Sequence, residues 1–111
     1  MALLERTLDG NTENFNAVLS RIEGGILGGS VSATLEDASD FWDGDARCSV
    51  RVFERYSWAG NNRVSLSVTL FQNGSGPLRL SGITSGGSQA VFMKINTYGE
   101  DMFLEKLAEL V

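Results

Sequence analysis

From Arg63 to Leu70 every second residue is apolar: Val64, Leu66, Val68 and Leu70 alternate with Arg63, Ser65, Ser67 and Thr69. Successive side chains of a strand point to opposite faces, so this segment predicts a strand with one dry face and one wet face. Such a strand belongs to an antiparallel sheet covered on one side only. The alternation recurs on both sides of it. Upstream, Val31, Ala33 and Leu35 alternate with Ser32, Thr34 and Glu36, and Ala46, Cys48, Val50 and Val52 alternate with Arg47, Ser49 and Arg51. Downstream, Leu78 and Leu80 alternate with Arg79 and Ser81. Gly60-Asn61-Asn62 and the Asn-Gly-Ser-Gly-Pro run at 73–77 are turn signals between strands. Residues 2–9 predict a short first strand.

Two segments change to a helical period. Phe15, Val18, Leu19 and Ile22 fall at i, i+3, i+4 and i+7. Asn11 or Thr12 is the expected cap of this helix, and Gly24-Gly25 its expected end. Phe103, Leu104, Leu107, Ala108, Leu110 and Val111 form a second apolar helical face, with Thr97 and Glu100 spaced as a capping box before it. Residues 90–95 are apolar on both parities, and periodicity does not decide between strand and buried helix. The stretch from Asp37 to Asp45 reads as an acidic loop, and Thr84 to Gln89 as a break in the strand before it.

The order is therefore β-α-β-β-β-β-α. The expected fold is α+β, a curved antiparallel sheet with two helices packed on one face. In element order it resembles the TATA-box-binding-protein-like and helix-grip folds, a likeness that carries architecture and not function. The chain has 111 residues, which makes 1–111 a single domain by the usual length prior.

Composition narrows the chemistry. There are 9 basic and 14 acidic side chains and a net charge of −5, which disfavours nucleic acid as a partner. The absence of His removes the commonest general base and metal ligand. One Cys excludes an intrachain disulfide and every multi-Cys metal pattern. Cys48 shares the parity of Val50 and Val52, so it is expected in the apolar layer as a small hydrophobe. Glu36, Asp37, Asp40, Asp43 and Asp45 lack the EF-hand spacing and read as solvated. No catalytic residue, metal or cofactor is expected. The N-terminus is charged by Glu5 and has no apolar signal core, and no run of residues is long and apolar enough to span a membrane, so a cytoplasmic location is expected.

Three places qualify as candidate sites. On the parity read above, Arg47, Arg51 and Arg55 face outward with Phe53, and Arg63 and Arg79 join them from neighbouring strands. Guanidinium forks grip carboxylates and phosphates in bidentate fashion. This open, Arg- and Ser-rich face would suit an anionic ligand or an acidic protein partner. With Phe53 and Phe71 as apolar anchors, it would also suit self-association into a dimer. The plainer reading is a solvated face balanced by Glu36 and Glu54. The second place is Ser85-Gly86-Gly87-Ser88-Gln89, where paired glycines can aim amides inward as an anion nest. No Lys follows, so it is not a P-loop, and a bulge or tight bend explains two glycines equally simply. The third is the groove between the C-terminal helix and the sheet, which would make the chain a small apolar-ligand carrier. The plainer alternative is that Leu66, Leu70, Leu80, Phe92, Phe103, Leu107 and Leu110 there are simply the core. Catalysis has the least support: no His can activate a Ser, and a Ser–Lys pair would need Lys94 or Lys106, neither of which lies in a recognisable motif.

Over 47–56 (Arg-Cys-Ser-Val-Arg-Val-Phe-Glu-Arg-Tyr), 62–66 (Asn-Arg-Val-Ser-Leu), 83–92 (Ile-Thr-Ser-Gly-Gly-Ser-Gln-Ala-Val-Phe) and 94–100 (Lys-Ile-Asn-Thr-Tyr-Gly-Glu), the chain resembles a family of small bacterial proteins of unknown function. The resemblance runs over almost the whole chain. It implies a small, stand-alone bacterial domain and transfers no catalytic residue. The functional expectation is a non-enzymatic binding or protein-interaction module.

Overall fold

The computed structural model describes residues 1–57, 62–86 and 93–111. Its elements follow the expected order: β1 (Ala2–Leu8), α1 (Phe15–Gly28), β2 (Thr34–Asp43), β3 (Ala46–Ser57), β4 (Asn62–Asn73), β5 (Leu78–Gly86) and α2 (Met93–Ala108). The strands form one antiparallel sheet in the order β1-β5-β4-β3-β2. Both helices lie on one face. Strands β3 and β4 have 12 residues each, on the order of 40 Å of chain, and the molecule extends 47 × 23 × 22 Å.

The core lies between the helices and the β4–β5 half of the sheet. Val64, Leu66, Val68 and Leu70 of β4 and Leu78 and Leu80 of β5 are buried against Phe15, Val18, Leu19, Ile22 and Ile26 of α1 and Phe103 and Leu107 of α2. Gly82 of β5 gives α2 its seat: a Cβ there would lie 2.4 Å from Leu107 Cδ2. The turn after β1 is equally close-packed, because a Cβ on Gly10 would lie 2.1 Å from the Gly76 carbonyl oxygen of the β4–β5 turn.

Several boundaries differ from the sequence reading. Asn14 caps α1, its side chain accepting from the Ala17 amide at 3.0 Å. Asn11 instead donates its own amide to Asp9 Oδ1 at 2.9 Å, inside the preceding turn. The helix also runs through Gly24-Gly25 to Gly28, because Ile26 continues the buried stripe one turn beyond Ile22. Val31 is exposed, and β2 begins only at Thr34. The expected acidic loop is the body of β2, closed by a tight turn at Gly44, whose φ is 59°. Strand β5 continues through Thr84, Ser85 and Gly86, paired with Leu66, Ser65 and Val64. Helix α2 starts at Met93, so Thr97 lies within it and is not its cap. Residues 93–95 are helical; 90–92 fall outside the described residues.

The largest correction concerns β3. Its register places Arg55 opposite Val64, Phe53 opposite Leu66, Arg51 opposite Val68 and Ser49 opposite Leu70. Directly opposed residues of antiparallel strands share a face. The apolar set of β4 must lie under the helices, so the odd-numbered residues of β3 lie there too. Arg51 is 8% exposed and Phe53 is fully buried, whereas Cys48, Val50 and Val52 are half-buried on the open face. A one-residue slip would cover Cys48, Val50 and Val52 but turn Phe53 out. Full burial of a Phe contributes about 2–3 kcal/mol, and ion pairs to Arg51 add to the observed register.

Candidate functional site

Arg47, Arg51 and Arg55 are four residues apart on one face of β3, about 13 Å from each to the next. They form a ladder on the helix side, where α1 presents Asn16 and Glu23. Those two residues are seven apart, two helical turns on one stripe. Arg47 donates to Asn16 Oδ1 at 2.7 Å and lies over the rings of Phe15 and Trp42, 4.1 and 5.2 Å from their centroids. Arg51 donates through Nε to Glu23 at 2.8 Å and through a terminal nitrogen to Asp40 at 3.1 Å. It also donates to the carbonyl of Val50 at 3.0 Å. Asp40 in turn accepts from the Ser49 hydroxyl. One guanidinium thus ties α1 to both β2 and β3.

Burial works against the Arg51 charge, but the hydrogen bonds to Glu23 and Asp40 outweigh it and hold its pKa above the ordinary value. The Ser49 hydroxyl and the Arg51 guanidinium lower the Asp40 pKa. Arg55 is different. Burial alone lowers its pKa, and its guanidinium stacks on the Phe103 ring at 4.6 Å.

The expected open face of five basic residues is therefore split. Arg47, Arg51, Phe53 and Arg55 lie beneath the helices, and only Arg63 and Arg79 of that set lie on the open side. Arg63 pairs there with Glu54 at 3.0 Å. Cys48, expected in the apolar layer, is on the open face opposite Phe41 and Phe71.

The open face is built in rows across the sheet. Thr7, Arg79, Phe71, Cys48 and Phe41 form one row; Glu5, Ser81, Thr69, Val50 and Ser39 the next; Leu3, Ile83, Ser67, Val52 and Asp37 a third. No described helix covers it. Phe41 is 55% and Phe71 38% exposed. Two shallow hollows of about 240 Å³ flank the centre, one bounded by Glu5, Thr69, Phe71, Arg79 and Ser81, the other by Asp37, Ala38, Ser39, Val50 and Val52. Phe71 is on this side as expected, whereas Cys48, Val50 and Val52 join it because the register to β4, and not the alternation within β3, decides their face.

Ser85 and Gly86 end β5, Ser85 accepting at its carbonyl from the Ser65 hydroxyl at 3.2 Å. Gly86 has φ 124°, and a Cβ there would lie 2.8 Å from the Arg63 carbonyl oxygen, so a glycine is needed at this bend. Gly87, Ser88 and Gln89 of the proposed anion nest lie outside the described residues, as does Phe92. In the groove under α2, Leu66, Leu70, Leu80, Phe103 and Leu107 are buried core and Leu110 packs against them. Among the described residues no three Cys, Asp or Glu side chains gather into a metal-binding group, and no helix is long and apolar enough to cross a membrane.

One family model matches the chain, over residues 1–111: a family of unknown function (DUF6054). No curated protein and no solved structure matches it.

Proposed function

The chain belongs to this family of unknown function, so its role has to be argued from its surfaces, and we propose that it is a non-catalytic interaction module that self-associates through the open face of its sheet. The observation that carries this reading is the chemistry of the uncovered side. A sheet face meant for water alternates polar residues outward. Here Phe71, Cys48, Phe41, Val50 and Val52 adjoin across β4, β3 and β2, and Leu3 and Ile83 form a second apolar pair on the far side of Ser67. Contiguous apolar surface rimmed by polar groups marks an interaction site.

A second copy of the chain is the occupant that fits. The three rows that cross all five strands span about 24 by 20 Å, on the order of 500 Å², and shorter rows on β2 to β5 extend the face beyond them. A stable complex needs about 800 Å² from each partner. The middle of the face is uncharged, with Ser67, Thr69, Val50 and Val52, and the charges of Glu5, Asp37, Glu54, Arg63 and Arg79 lie around it. A neutral centre inside a charged rim is the usual anatomy of an interface. It also lets a twofold axis pass through the centre without stacking like charges, as an isologous dimer requires.

Sedimentation over a concentration series tests the reading. The wild-type chain should form a dimer, and Val50→Lys should leave a monomer with an almost unchanged melting temperature, because Val50 is already half in water. A wild-type chain that stays monomeric throughout, or a dimer indifferent to Val50→Lys, would overturn it.

A further inference from the structure

On the opposite side of the sheet, Arg55 differs from its two neighbours in the ladder. Arg51 finds carboxylate acceptors on both α1 and β2, and Arg47 one acceptor on α1 through a terminal nitrogen, its Nε being buried without a partner. Arg55 makes no hydrogen bond or ion pair among the described residues; its contact is the Phe103 ring. The segments outside the description, 58–61 and 87–92, contain no Asp or Glu to serve it. A half-buried guanidinium without an acceptor carries a desolvation cost, and among the described residues only the Phe103 ring offsets part of it.

The Arg55 side chain opens onto a recess of about 240 Å³ lined by Gly29, Arg55, Met102, Glu105, Lys106 and Glu109. Its position follows from the glycine that ends α1. A Cβ on Gly29 would lie 2.5 Å from Lys106 Cε and 2.9 Å from the Gly25 carbonyl oxygen, so glycine leaves room for the Lys106 stem across the end of that helix. Lys106 Nζ pairs with Glu109 at 3.6 Å, which leaves Arg55 and Glu105 as the recess's unmatched cation and anion. The carbonyl end of α1 adds partial negative charge on the Gly29 side. The lining therefore carries two positive and two negative side chains. A dianion would meet as much repulsion as attraction, whereas a molecule bearing one charge of each sign would be matched.

We propose that this recess binds a free α-amino acid, its carboxylate held by the Arg55 fork and its ammonium by Glu105, with Met102 against its side chain. The Phe103 ring keeps the guanidinium plane fixed, so little order is lost when a carboxylate docks in bidentate fashion. The recess lies on the helix side and is independent of the open face, so it can be occupied in monomer or dimer alike.

Nitrogen–proton correlation NMR on the full chain tests this, with a panel of proteinogenic amino acids as probes and propionate and inorganic phosphate as controls. At least one amino acid should shift the Arg55 Nε resonance and the amides of Met102 to Lys106, with a Kd of about 1 mM or tighter. Arg55→Gln should weaken it about tenfold or more. Glu105→Gln, on the exposed side of α2, should weaken the amino acid and leave propionate unchanged, and it keeps the test decisive if Arg55→Gln disturbs the packing on Phe103. Absence of any amino-acid shift, equal affinity for propionate or phosphate, or amino-acid binding indifferent to Glu105→Gln would overturn the proposal.

Discussion

Strands β3 and β4 lie side by side, are equally long and send alternate residues into the same layer, yet they build that layer from opposite materials. The inward set of β4 is Val64, Leu66, Val68 and Leu70, all but closed to water. The inward set of β3 is Arg47, Ser49, Arg51, Phe53 and Arg55. The difference follows from what covers each strand. Over β4 the two helices bring Ile22, Phe103 and Leu107; over β3 and β2 the edge of α1 brings Asn16 and Glu23. One half of the layer is held by exclusion of water, the other by hydrogen bonds and ion pairs that keep partial contact with water.

The dry half should be the more sensitive to truncation. Leu66→Ala removes a fully buried side chain and should cost about 3 kcal/mol, within the roughly 2–5 kcal/mol usual for such changes. For a domain of this size that lowers the melting temperature by on the order of 15 °C. Chemical or thermal unfolding measures it. A loss below about 1 kcal/mol would mean that the β4 side of the layer is not close-packed.

Legibility in the sequence divided along the same line. Hydrophobic alternation reports burial when burial is apolar, and for β4 it named the covered residues correctly. It also placed the stripe of α1 and the order of all seven elements. For β3 it chose the wrong face, because Cys48, Val50 and Val52 outnumber Phe53. The covered side is instead determined by a register to β4 that no single strand encodes. A partial signal was present: Asn16 and Glu23, seven residues apart beside the apolar stripe of α1, match Arg47 and Arg51, four residues apart on a strand. Polar spacings in both elements would have to be read together to see the ladder. The acidic run at 37–45 reads as a loop for a related reason, since Asp40 finds its place in β2 through Ser49 and Arg51 on the neighbouring strand.

The wet half should show a smaller effect with a pH signature. Arg51→Met keeps most of the volume and removes the charge; the expected cost is about 1–3 kcal/mol. Glu23 and Asp40 each keep about a third of their surface in water and can rehydrate. Asp40 has a folded pKa below its ordinary value of 3.8, so its contribution is present above that value and lost as pH falls through the lower, folded one. The stability gap between wild type and Arg51→Met should therefore narrow below about pH 4. Adding Glu23→Gln and Asp40→Asn to Arg51→Met should recover part of the loss at neutral pH, because the charges left behind are then gone. A gap that is constant through the acid range would assign the loss to packing, and the contrast between the two strands would weaken.

The smallest effect concerns how far the helix over the polar half extends. With Gly24-Gly25 as its end, α1 would stop one turn short and lose the buried Ile26. The structure instead carries it to Gly28, with Gly24 facing open space and Gly25 against Leu110, where a Cβ would lie 2.3 Å from Cδ2. Alanine in a helix interior is favoured over glycine by about 0.5–1 kcal/mol. Gly24→Ala should gain that amount in an unfolding titration. Gly25→Ala should gain less or lose, because Leu110 has to move aside and it packs against the core. Equal, near-zero effects at both positions would mean that the last turn of α1 is frayed, and with it the Gly29 wall of the Arg55 recess.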